Sequence, residues 1–182
     1  MDYSLYFKDY SNSINDLLLN LDTKLINQSV KLIKKVQETN KKIYLVGNGG
    51  SSSIASHVSV DFTKVAKIKS STFNNSNLIT CFANDYGYEN WVSEAIKVKC
   101  YEGDLIILIS SSGRSKNIIN AAHHCKDVGL DLITLSGFET NNPLRKLGIV
   151  NFYIQSNNYN YIEMSHHIIL LSLVDIFKID NK

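Results

Sequence analysis

"KKIYLVGNGGSSSIASH", residues 41–57, decides the fold. A short apolar run stops abruptly in glycine, asparagine and three serines, and an amphipathic stretch follows at once. Continuous apolar character over this length marks a strand covered on both faces. Serines directly before a periodic segment predict a helix start. The unit therefore reads strand, tight loop, helix. Residues 104–129, "DLIILISSSGRSKNIINAAHHCKDVG", repeat it: an apolar run, a hydroxyl and glycine cluster, then a helix closed by Gly129. Neither loop is one of the familiar nucleotide loops. A G-x-G-x-x-G pattern would need glycine where Ser52 stands, and no Gly-Lys-Ser/Thr ending is present.

Working outward, five runs read as buried strands: 42–47, 78–83, 104–110, 131–137 and 151–156. Helices are predicted between them over 51–67, 87–100 and 115–129. This alternation predicts an α/β fold, a doubly wound five-stranded parallel sheet flanked by helices on both faces. Residues 2–39 form an N-terminal helical extension, one long helix or two shorter ones, with Leu17, Leu18, Leu21, Leu25, Val30, Ile33 and Val36 at helical spacing. Residues 161–178 are apolar on nearly every side, which predicts burial in the domain or against another subunit. With one proline (Pro143) and no linker, residues 1–182 read as a single domain. Residues 1–40 would serve oligomerisation and 41–182 would form the α/β core.

Bulk composition narrows the function classes. Nineteen basic and seventeen acidic residues leave a net charge of +2, which gives no electrostatic case for nucleic acid or an anionic membrane. No apolar stretch approaches the roughly 20 residues that span a bilayer. "MDYSLYFKDYSNS" lacks the basic and apolar regions of a signal peptide. The expected location is cytoplasmic. Cys81, Cys100 and Cys125, an odd number without a C-x-x-C, read as buried small residues in a reducing compartment.

In a parallel sheet, ligands sit beyond the carboxyl ends of the strands, where helix N-termini point free N–H groups. Asn48, Gly49, Gly50, Ser51, Ser110, Ser111, Ser112 and Ser115 all fall there. Hydroxyls, amides and closely approaching glycine backbone can hold a phosphate without lysine or magnesium. The alternative is that the serines only cap helices. "ANDYG" (83–87) reads by composition as a turn. His57 and Asp61 lie four apart on one helix face, as do Glu163 and His167, with His166 three from Glu163. His123 and His124 read as structural.

Together, "LVGNGGSSSIASH", "CFANDYG", "EGDLIILISSSGRSKNII", "GLDLITLSG" and "IEMSHH" resemble, in order and spacing, the sugar isomerase (SIS) domain. The resemblance is strongest to its sedoheptulose 7-phosphate (phosphoheptose) isomerase branch and runs from about residue 40 to 178. It implies that Ser51, Ser110, Ser111, Ser112 and Ser115 hold a phosphate with Asn48 beside them, that Asn84 and Asp85 line the pocket near the sugar, and that the protein is a homotetramer. It also implies a cytoplasmic aldose–ketose isomerase feeding heptose synthesis for surface polysaccharide. No cofactor is required for that chemistry, although some members bind zinc; His57, Asp61, Glu163 and His167 would be the ligands of such a divalent metal here.

The chain departs from the family pattern in three places. Asp61 stands where the family has glutamate, Glu163 where it has glutamine, and Leu171 where it has a second catalytic histidine. Enediol chemistry needs a base at carbon and a group to move hydroxyl protons. Asp61 or Glu163 is the expected base, and His57, His166 or His167 the expected shuttle. Two rival readings stay open: a non-catalytic SIS protein binding a sugar phosphate or a protein partner, as the replication-initiator-binding type does, and an isomerase of another phosphosugar.

Overall fold

The structure, a computed structural model, describes residues 2–180. Two helices lead in: α1 (Tyr3–Leu19), N-capped by Asp2, and α2 (Lys24–Glu38). There follow β1 (Ile43–Gly47), α3 (Gly50–Lys64), β2 (Ser70–Thr72), α4 (Ser76–Tyr86), α5 (Trp91–Lys99) and β3 (Leu105–Ile109). The chain closes with α6 (Lys116–Asp127), β4 (Asp131–Gly137), a 3-10 turn (Pro143–Lys146), β5 (Val150–Ile154) and α7 (Tyr159–Asp180). The sheet is parallel throughout, in the order β2-β1-β3-β4-β5.

Each face of the sheet carries its own core. Ile33 and Val36 of α2, Ile54, Val58 and Phe62 of α3, and Ile169, Leu170, Leu173 and Phe177 of α7 pack against Leu45, Ile107, Leu135 and Phe152. On the other face Trp91 and Ile96 of α5 and Ile118 and Ala122 of α6 cover Tyr44, Val46, Ile106 and Leu108. All of β1 and β3 is buried, as continuously apolar runs require. The N-terminal extension is thus two helices, and the second is part of the core. Helix α7 meets much of its apolar demand within the chain, leaving Met164 and Ile168 exposed.

One strand expectation is corrected. Residues 78–83 are helical, inside α4, and the fifth strand is the short edge segment Ser70–Thr72. Asn75 caps α4 by accepting from the N–H groups of Asn77 and Leu78. Leu78, Ile79, Phe82 and Ala83 then form one helical face against the Trp91 core. A six-residue apolar run fits either period, and here the cap decides it. Cys81 is likewise exposed rather than buried.

Candidate functional site

The strand order reverses between β1 and β3, so the connections leaving them run to opposite faces and open a crevice at their carboxyl ends. Gly47 and Ile109 are register partners. The loops 47–53 and 110–115 therefore emerge side by side. Gly49, at φ +53°, makes the turn into α3 in a conformation other residues adopt only with strain.

The capping alternative can be checked directly. The N-cap of α3 is Gly49, which has no side chain, and Ser115 at the N-cap of α6 makes no capping bond. Its hydroxyl instead accepts from Ser110 Oγ at 3.2 Å. Among the described residues, the N–H groups of Gly50, Ser51, Lys116 and Asn117 have no protein acceptor. Two helix N-termini thus present open donors into one crevice, with Ser51, Ser110 and Ser111 buried around them. Arg114, the one basic residue in either loop, is turned to Glu139 and Asn141. The arrangement offers an anion neutral donors and the positive ends of two helix dipoles.

Three residues that sequence reasoning missed tie the loops together. Asn48 and Asn117 exchange reciprocal side-chain amide bonds of 2.9 and 3.0 Å across 69 residues of chain. Tyr88 donates its hydroxyl to Asn48 Oδ1 at 3.3 Å. The polar Asn117, out of phase with any solvent face of α6, was the available signal. Asn142, fully buried, donates to Ser136 Oγ and to the carbonyls of Gly137 and Glu139, fastening the loop after β4 beneath the second loop. Asn84 and Asp85 lie exposed at the end of α4, bonded to each other and, through Asp85, to Cys81. Among the described residues, no side-chain hydrogen bond joins them to the serine loops.

The second cluster lies between α3 and α7. His57 Nε2 is 3.3 Å from Asp61 Oδ2, and His57 Nδ1 is 2.9 Å from His167 Nε2. With the carboxylate accepting from Nε2–H, His57 offers its Nδ1 lone pair to His167 Nε2–H. His167 Nδ1 is then an open acceptor. Burial and the neighbouring His57 hold the His167 ring below the ordinary histidine value, which keeps it in the form that accepts a proton. Glu163 lies one turn earlier on α7, with Oε1 accepting from Ser111 Oγ at 3.4 Å.

His166, expected as a proton shuttle, is corrected. It is fully buried, its Nε2 bonds to the Ser136 carbonyl at 3.2 Å, and its Nδ1 has no partner. Helical neighbours point about 100° apart, so His167 faces the crevice while His166 enters the core. Desolvation pushes its pKa down to about 4. The unfolded chain binds that proton below the ordinary 6.5 and the native state does not. Stability from this residue is therefore complete above pH 6.5 and is lost as pH falls towards 4, about 3 kcal/mol in all. Urea unfolding of wild type and His166→Phe at pH 7.5 and 5 should show a markedly smaller acid loss in the variant. Equal losses would contradict the assignment.

The proposed metal ligands do not converge. Among the described residues no three His, Cys, Asp or Glu side chains surround a common point, and both nitrogens of His57 are spent on protein partners. The donor set as arranged does not fit zinc.

A model of the SIS domain family matches residues 6–137. The chain is 32% identical over 141 residues to phosphoheptose isomerase of Aneurinibacillus thermoaerophilus, covering 74% of this chain and 71% of that protein. It is 30% identical over 144 residues to phosphoheptose isomerase of Helicobacter pylori strain Shi470, covering 76% and 74%. In three dimensions it is similar to phosphoheptose isomerase from Neisseria gonorrhoeae, with a TM-score of 0.86 over 96% of this chain and 97% of that one, at 21% identity.

Proposed function

The chain belongs to the SIS domain family, and from that premise we propose that it is an aldose–ketose isomerase acting on sedoheptulose 7-phosphate. The observation that carries this reading is the pair of helices left without side-chain caps over a crevice of buried serines. The relatives named phosphoheptose isomerase support the heptose as substrate. Phosphate docks on Ser51, Ser110, Ser111, Ser112 and Ser115. The open-chain sugar then extends along α3, where His57 lies seven residues past Gly50, about 10 Å at 1.5 Å per residue.

Proton transfer belongs to His167, oriented by His57 and Asp61. His167 Nδ1 takes the proton from C1 of the ketose as the electrons form the C1–C2 double bond and O2 takes a proton from water. His167 then returns its proton to C2 while the O1 proton passes back to water, which gives the aldose. The positive charge made on His167 is shared with His57 and faces the Asp61 carboxylate. No step needs a metal or a cofactor.

Assembly with further copies, in the family's case a homotetramer, is supported by α1, which buries no residue in its own chain and exposes Tyr3, Leu5, Tyr6 and Phe7. Asn84 and Asp85 would find the sugar in such an assembly. A cytoplasmic setting is supported by three unpaired cysteines. The deciding experiment incubates the purified protein with a panel of ketose phosphates in deuterated water. Deuterium should enter the carbon next to the carbonyl of the heptose phosphate. No exchange on any member of the panel would leave a binding protein in place of an enzyme, and exchange confined to another sugar would change the substrate.

A further inference from the structure

We propose that Glu163 is a built-in anion that occupies the phosphate crevice in the ligand-free protein and must be displaced when a phosphate monoester binds. The proposal rests on the reading of the two serine loops as a phosphate site.

The carboxylate touches both loops at once. From α7 its Oε1 reaches Ser111 Oγ of the second loop at 3.4 Å. At the first loop its Oε2 lies so close to Gly50 that a Cβ there would come within 2.3 Å of it. Gly50 is the first residue of α3, the end that has no side-chain cap and open N–H groups. A negative charge is favoured at that position by the helix dipole. No basic side chain among the described residues is paired with Glu163. Its attractive surroundings are those an incoming phosphate would use.

A phosphate dianion held by the same hydroxyl and the same helix end cannot coexist with an ionised carboxylate in contact with them, because like charges at that range repel strongly. Glu163 is only half-buried and sits on a flexible three-bond side chain, so it can leave without moving α7. The consequence is selectivity. A sugar lacking phosphate brings nothing to replace the carboxylate and meets an occupied crevice. A phosphorylated one exchanges one anion for a better-matched anion.

The test titrates inorganic phosphate into the full chain by calorimetry at fixed pH and ionic strength, for wild type, Glu163→Gln, Glu163→Ala and Ser112→Ala. Removing the resident charge should tighten phosphate binding about tenfold or more in both Glu163 variants. Ser112→Ala should weaken it, which shows that the ion is in the crevice. Equal or weaker binding in both Glu163 variants overturns the proposal, and so does phosphate binding that Ser112→Ala leaves unweakened, which puts the ion outside the crevice. Wild-type isomerase activity alongside unchanged phosphate affinity in the Glu163 variants would remove the displaced-anion role and leave the proposed function standing. Absence of phosphate binding in every variant would remove both.

Discussion

His167→Ala is expected to lower kcat on sedoheptulose 7-phosphate by about 10²–10⁴-fold, the usual contribution of a positioned acid–base group, with little change in KM. The KM expectation follows from the geometry, since the serine loops proposed to hold the phosphate do not include His167. His57→Ala should fall in the same range, because His57 sets the tautomer of His167 through the 2.9 Å bond between them. The double variant should be scarcely worse than either single one, as residues acting as a unit are strongly non-additive. The ring of His167 is held below its ordinary value. It loses a proton more readily than a free histidine, so the base form persists and the acid limb of kcat/KM should lie below pH 6.5. Steady-state kinetics across pH 5–9 on wild type and the three variants measures all of this. A His167→Ala enzyme within threefold of wild type would return the chemistry to Glu163.

The second large effect is on the backbone. Gly113→Ala should destabilise the protein by about 3 kcal/mol and weaken phosphate binding, from a forced left-handed residue together with a broken buried network. Gly113 has φ +62°, and a Cβ there would stand 2.0 Å from Asn142 Oδ1. Asn142 cannot retreat cheaply, because it is fully buried and its amide serves Ser136, Gly137 and Glu139. Gly129→Ala is the control: its φ is +73° but nothing lies within 4 Å of the added Cβ. That variant should lose only about 1 kcal/mol. Urea unfolding of both compares them. Equal losses would mean that the second loop is not pinned by Asn142.

What was legible in the chain was whatever local pattern determines. The strands β1, β3 and β4 and the helices α3 and α6 follow from apolar runs bounded by glycine and serine, and the serine loops follow from their place after those strands. The pairing of Asn48 with Asn117 was not legible, because it depends on two strands lying side by side in the sheet. Residues 78–83 failed for a different reason: six apolar residues carry no period, and the deciding group, Asn75, lies outside the run. On α7 the apolar residues surround the axis, so nothing in the pattern said which of His166 and His167 would face inward. The rotation of that helix is set by Ile162, Leu170 and Phe177 entering the α3 side of the core.

The uncapped first turns of α3 and α6 also bear on how long the protein lasts in a cell. Without a bound phosphate, water must satisfy donors that most helices satisfy with their own side chains. A bound phosphate ester satisfies them only in the native state and so shifts the folding equilibrium by mass action. Degradation that proceeds through transient opening draws on the unliganded fraction. With the crevice holding the sugar phosphate as proposed, resistance to such degradation rises with the concentration of the protein's own substrate.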